Sequence, residues 1–208
     1  MSMLFKKYRK QTIKDLDLKG INKLMIVAHP DDEAIWGGGH LLQDKYLIVC
    51  VTCNSIKGNL RAKEFKKVMN ITKNSFLMLA YPDKINGIRD EWQSSRKNII
   101  KDLNEIINFK NWDLIVTHNP LGEYGHIHHK MLSEIVTSLS PKDTLYYFGR
   151  YYSKSEMYKN KGKKLTEQII LEKDKLIKVY KTQKFIQQAF NHMFPYENWL
   201  SFKEWKNI

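Results

Sequence analysis

The chain has 208 residues, 42% of them hydrophobic and 12% aromatic. This suits one large domain with a full core and excludes a disordered chain. No apolar run approaches the roughly 18 residues of a membrane span, and the stretch from Met1 to Gly20 is basic and polar, unlike a secretory signal, so a cytoplasmic protein is expected. The net charge of +13 suits anionic partners, but the lysines are scattered without a dense block, and no nucleic-acid partner is expected.

Residues 1–22 read as a basic lead-in with a short helix over 10–16. The apolar run from Lys23 to Ala28 ends at once in His29-Pro30-Asp31-Asp32-Glu33. A short apolar run closed by a turn signal predicts a buried parallel strand, and its polar end falls where open α/β sheets bind ligands. One of these acids is placed to cap the helix predicted over 33–45. Gly37-Gly38-Gly39 interrupts that helix, at roughly 1 kcal/mol of helix propensity each. Close approach of its backbone to a neighbouring strand or to the site would explain them. No GxGxxG opens the helix, so it is not a dinucleotide fingerprint.

A second strand over 46–52 carries Cys50 and runs into Cys53. Positions i and i+3 of a strand point to opposite faces, so these cysteines read as structural thiols. Asn59 is a candidate cap for a helix to Met69, and a third strand over 75–79 precedes the turn Tyr81-Pro82-Asp83. Residues 84–95 read as a polar loop. Ile99, Leu103, Ile106 and Ile107 recur at helical spacing, predicting an amphipathic helix over 95–109. A fourth strand over 113–117 again ends in polar residues, and His126-Ile127-His128-His129 opens a helix running to about 139. An aromatic fifth strand over 144–149, a basic loop over 153–164 and one long helix over about 166–190 follow. The tail carries Trp199 and Trp205 and is expected to pack back on the domain. The alternation predicts a single domain over 1–208, an α/β fold built as a three-layer α/β/α sandwich on a mostly parallel, Rossmann-like sheet.

Each polar strand end has a bland reading by itself. His29-Pro30-Asp31-Asp32 can be a proline turn with a capping acid, and a histidine-rich helix start can be surface. Together they put ligand-type residues at two ends of one sheet, which points to a metal or acid–base site.

Ala28-His29-Pro30-Asp31-Asp32-Glu33, followed about a hundred residues later by Gly122-Glu123-Tyr124-Gly125-His126-Ile127-His128-His129, resembles the PIG-L/LmbE-like family of metal-dependent N-deacetylases. Arg61 with Glu64, Tyr81-Pro82-Asp83, and Lys175, Tyr180 and Gln183 are weaker matches. The resemblance implies a zinc enzyme, with ferrous iron also compatible with the set, hydrolysing the N-acetyl amide of an N-acetylglucosamine-type sugar conjugate. It implies His29, Asp32 and His129 as metal ligands and Asp31 as general base. His126 would be the acid and oxyanion partner, Tyr124 a transition-state contact, and Arg61 and Asp83 sugar contacts. Glu33 and Glu64 read as supporting residues. Trp36, Trp92, Tyr81 and Tyr124 are candidates to stack on a sugar or to pack internally. Many members carry Asp where His128 stands, which leaves the tuning of His126 open, with Glu123 or Asp31 as replacement carboxylates. A homo-oligomer stays open, as do two other functions: a metal-dependent phosphoesterase and a non-catalytic, basic nucleic-acid-binding domain.

Overall fold

The computed structural model describes residues 11–52 and 58–208, with side chains from residue 60 in the second stretch. Cys53, the side chain of Asn59 and the start of the expected lead-in helix lie outside these. In chain order the elements are β1 (Lys23–Val27), α1 (Asp32–Gln43), β2 (Tyr46–Thr52), α2 (Gly58–Thr72), β3 (Ser75–Tyr81), β4 (Lys84–Ile85), β5 (Ile88–Arg89), α3 (Arg96–Ile107), β6 (Leu114–Thr117), α4 (Ile127–Leu139), β7 (Leu145–Tyr147), α5 (Glu167–Lys178), α6 (Lys184–Phe190), β8 (Leu200–Ser201) and α7 (Phe202–Lys206).

The main sheet runs β3-β2-β1-β6-β7-β8. Its first five strands are parallel and β8 is antiparallel. Alternation along β1 sorts the core. Leu24 and Ile26 face the layer that holds α3 and α4, where Ile99, Leu103, Leu132 and Val136 are buried. Met25 and Val27 face the other layer, with Ile35 of α1, Phe65 of α2 and Leu176 and Ile177 of α5. Both sheet faces are therefore covered, as a parallel sheet requires. The order reverses between β1 and β6, so their carboxyl ends flank the crevice where such sheets bind ligands.

Four departures from the sequence reading have physical causes. The long final helix is broken into α5 and α6 by a turn of 3-10 helix at Lys181–Gln183, where Tyr180 drops its hydroxyl onto buried Glu33 and Glu64 accepts from the backbone N–H and hydroxyl of Thr182 at 3.1 and 2.5 Å. The polar loop over 84–95 holds a two-stranded hairpin: Asn86 and Gly87 both take positive φ, 51° and 81°, as the turn types that match strand twist demand. Lys154–Lys159, read as loop, is a 3-10 helix. Asp31 occupies the cap position of α1 but makes no capping bond; its φ is 121°.

The glycines of α1 are explained by packing. An added Cβ would lie 2.6 Å from the Met25 side chain at Gly37 and 3.0 Å from that of Lys173 at Gly38. They admit β1 and α5 rather than a ligand. Glu197 of the tail accepts from the backbone N–H groups of Gly39 and His40, at 2.7 and 3.0 Å, and pairs with buried Lys173 at 2.6 Å. The tail thus packs back as expected, with Trp199 donating to the Trp36 carbonyl. Cys50 is buried in β2. No helix among the described residues is long and apolar enough to cross a membrane.

Candidate metal centre

β1 delivers His29 and the turn into α1, β6 delivers His118, and the N-terminus of α4 delivers His126, His128 and His129. The loop between β6 and α4 turns back through Gly122, Glu123 and Gly125, all at positive φ. Three ligand-type atoms meet: His29 Nδ1 lies 3.2 Å from Asp32 Oδ2, His129 Nε2 lies 3.3 Å from the same oxygen, and the two nitrogens are 3.3 Å apart. Bonds of about 2.0–2.2 Å at the tetrahedral angle put ligand atoms roughly 3.3–3.6 Å apart. The triangle matches one face of such a polyhedron.

Among the described residues, three overlapping groups of side chains could hold an ion: His29, His126 and His129; His29, Asp83 and His128; and Asp32, His118 and His129. Hydrogen bonds already engage some of these nitrogens. His118 Nε2 accepts the Ala28 backbone N–H at 3.0 Å, so its lone pair is engaged. His126 Nδ1 accepts the His128 backbone N–H at 3.2 Å, capping α4; its proton then sits on Nε2. His129 Nδ1 donates to Glu123 Oε2 at 2.5 Å, leaving Nε2 toward the triangle.

Asp31 is 2% exposed. Its Oδ1 accepts from Arg61 Nη2 at 2.5 Å, while Oδ2 finds no hydrogen-bond partner among the described residues. A buried, unpartnered carboxylate oxygen calls for a ligand or a water. Burial pushes this carboxyl up to about 6, with the Arg61 charge opposing. Burial also pushes Asp32 up, but the charge of His129 outweighs it and holds Asp32 well below the carboxylate range. For His129, burial pulls down and Asp32 and Glu123 prevail, holding it up at about 10. Burial, His129 and His29 together keep His126 far below the usual imidazole range.

The other expected site residues fall as follows. Asp83 Oδ1 lies 3.5 Å from His29 Nε2 and accepts from Arg89. Arg61 also donates to the Pro30 carbonyl at 2.6 Å. Tyr124 is 39% exposed, its ring 5.9 Å from that of His126. These residues line a cavity of about 970 Å³ together with His29, Asp32 and Trp36. Trp92 is buried against His128, and the Tyr81 hydroxyl donates to Asp102, so both pack internally. Glu123 joins the rings of His129 and His118 rather than His126. The sequence reading assigns His118 no role, although the polar strand end at 118 is a signal, and it considers Glu123 only as a partner of His126.

A family model described as PIG-L: GlcNAc-PI de-N-acetylase matches residues 24–140, more than half of the chain. The chain belongs to the PIG-L family. It is 32% identical over 183 residues to the uncharacterized protein L374 of Acanthamoeba polyphaga mimivirus, covering 80% of this chain and 77% of that one. The fold of this PIG-L member is similar to that of solved structures at low identity. The A40926 pseudoaglycone deacetylase Dbv21 gives a TM-score of 0.62 at 14% identity, covering 83% of this chain and 86% of that one. A zinc-inhibited form of the teicoplanin deacetylase Orf2 gives 0.58 at 13%, covering 85% and 88%. GalB, the 4-carboxy-2-hydroxymuconate hydratase from Pseudomonas putida KT2440, gives 0.60 at 13%, covering 83% of this chain and 84% of that one. The fold thus carries more than one chemistry, and it is membership of the PIG-L family that makes this chain a deacetylase-type hydrolase.

Proposed function

We propose that this protein hydrolyses the N-acetyl amide of an N-acetylglucosamine-type sugar conjugate at a zinc centre held by His29 Nδ1, Asp32 and His129 Nε2. The observation that carries this is the triangle of 3.2–3.3 Å edges, beside a buried carboxylate with one oxygen unpartnered. A divalent ion there supplies Lewis acidity, acidifying a water and polarising the amide carbonyl.

The chain's own groups do the rest. Asp31 Oδ2 accepts a proton from the attacking water, while Arg61 holds the other oxygen and fixes the carboxylate's angle. The His126 Nε2–H, with Nδ1 committed to the helix cap, donates to the developing oxyanion as a neutral imidazole. That keeps the oxyanion role expected for His126 and moves the acid step: the proton taken by Asp31 returns to the leaving amine. The Tyr124 hydroxyl is the second donor candidate at the cavity wall, and Asp83 and Arg61 bind sugar hydroxyls. The 970 Å³ cavity exceeds a single sugar and admits a conjugate.

The test is amine release from a panel of N-acetylated sugar conjugates, with metal analysis of the same samples. Loss of metal in His129→Ala and retained metal with at least about a hundredfold slower turnover in Asp31→Asn are expected. Wild-type turnover in Asp31→Asn, or a full metal complement in His129→Ala, defeats the assignment.

A further inference from the structure

The cavity that holds Asp31 and the ligand triangle has two kinds of lining. Its floor is polar and buried, with His29, Asp31 and Asp32. Its rim is apolar and open: Phe185 of α6 is 78% exposed and Ile85 of the hairpin 51%, and Ile186 joins the same lining. Ile88, paired directly with Ile85 across the hairpin, stands on the same face and is exposed as well. Single exposed apolar residues are ordinary, but here elements far apart in sequence bring several to one cavity with the reactive groups. The α6 side is held in place. Gln187 Nε2 donates to the carbonyls of Ile177 and Tyr180 at 2.9 and 2.7 Å, and the buried Phe190 ring packs 4.5 Å from that of Tyr124 and 5.9 Å from that of Trp36. The polar side chains beside it bond inwards: the Thr182 hydroxyl donates to Glu64, and Gln183 Nε2 donates to Thr182 Oγ1 at 3.2 Å. Lys84 and Asn86 also line the cavity, and both are exposed and keep their polar ends in water.

We propose that this rim is an aglycone subsite: Phe185, Ile186 and Ile85 take an alkyl chain linked to the sugar, so that the preferred substrate is an alkyl glycoside of the N-acetylglucosamine type. The proposal deepens the deacetylase reading and rests on it for the sugar, though not for the chain. A sugar needs hydrogen-bond partners, and those lie at the floor, on Asp83 and Arg61. A second sugar at the rim would set its hydroxyls against hydrocarbon side chains and lose bonds to water. An alkyl chain loses no hydrogen bond there, and its docking removes apolar surface of both partners from water. The rim side chains are mostly branched aliphatics, which a flexible chain can follow and a flat ring cannot stack against.

The experiment measures amine release by the zinc-loaded full chain from methyl, butyl and hexyl glycosides of N-acetylglucosamine, below micelle-forming concentrations. Wild-type kcat/KM should rise at least about tenfold from methyl to hexyl, mainly through KM. In Phe185→Ser and in Ile85→Ser the hexyl-to-methyl ratio should fall toward unity. Binding of hexyl glucoside, which has no amide, is titrated by calorimetry on the metal-free protein, and Phe185→Ser should weaken it about tenfold. Equal kcat/KM for all chain lengths overturns the subsite and leaves the deacetylase reading standing. Hexyl glucoside binding that is lost in Phe185→Ser, with no turnover of any glycoside, upholds the subsite and overturns that reading instead. A β-linked N-acetylglucosamine disaccharide turned over faster than the hexyl glycoside overturns the subsite. So does a flat chain-length series together with a dimer, or with binding to phosphatidylserine vesicles, that Phe185→Ser abolishes; the face then belongs to a second copy or to a lipid surface.

Discussion

Arg61 grips Asp31 twice over: Nη2 lies 2.5 Å from Asp31 Oδ1, and Nε donates at 2.6 Å to the carbonyl of Pro30, the residue before it. One cation from α2 therefore holds both the carboxylate and the turn that carries it at φ 121°. That backbone conformation is costly for a residue with a Cβ and is stabilised from outside.

The Arg61 pair sets a pH dependence. Burial raises Asp31 to about 6 and Arg61 opposes it. A base works ionised, so activity is present above that value and lost as pH falls through it. Arg61→Gln removes the opposing charge, and the acid limb of kcat/KM should move up by about one pH unit or more. Rates from pH 5 to 9 on one N-acetyl sugar check this; an unmoved limb means that Arg61 does not govern Asp31.

Glu123 orients two rings at once, accepting from His129 Nδ1 at 2.5 Å and His118 Nδ1 at 2.9 Å, with the Asn119 backbone N–H on its other oxygen at 2.9 Å. Glu123→Gln keeps the shape and loses the charge. Zinc affinity should fall about 10–100-fold with the fold intact, as read by chelator competition and circular dichroism. Affinity equal to wild type would remove Glu123 from the support of His129.

Much of this was legible in the sequence, for reasons that can be named. The run into His29-Pro30-Asp31-Asp32 changes polarity abruptly, and a buried parallel strand can do that only at its end. The β4–β5 hairpin is absent from the sequence reading: Ile85-Asn86-Gly87-Ile88 places a turn pair between apolar residues, but two-residue strands lack the length that periodicity needs. The break at Tyr180 was not legible. Its cause is a hydrogen bond to Glu33, 147 positions away, while the helical pattern runs on unbroken. The same holds for His118, whose place depends on the Ala28 backbone N–H across the sheet.

Metal uptake should release a proton. In the metal-free chain Asp32 and Glu123, against the pull of burial, hold His129 up at about 10, so the ring is charged at pH 7.5. An ion binding Nε2 must displace that proton, and about one proton should leave per ion. Calorimetric titration of zinc in buffers of different ionisation enthalpy gives the count from the slope. No release at pH 7.5 would mean that His129 is already neutral or is not a ligand.

Glu33 gives a stability prediction independent of turnover. It is fully buried, accepting from the Tyr180 hydroxyl on Oε1 and from the Asp31 backbone N–H at 3.0 Å on Oε2. Burial raises its carboxyl from 4.5 to about 8 despite both donors, so the folded protein holds it neutral at pH 7. A raised carboxyl contributes stability that is full below about 4.5 and lost as pH rises through about 8, because the unfolded chain ionises first. Glu33→Gln is neutral throughout, and the Tyr180 hydroxyl can rotate to accept from its amide. Measured relative to Glu33→Gln, the wild type should therefore weaken between pH 5 and 8.5 by an amount on the order of a few kcal/mol. Urea unfolding of the metal-free proteins across that range tests this, and parallel stability curves would show that Glu33 is ionised in the fold.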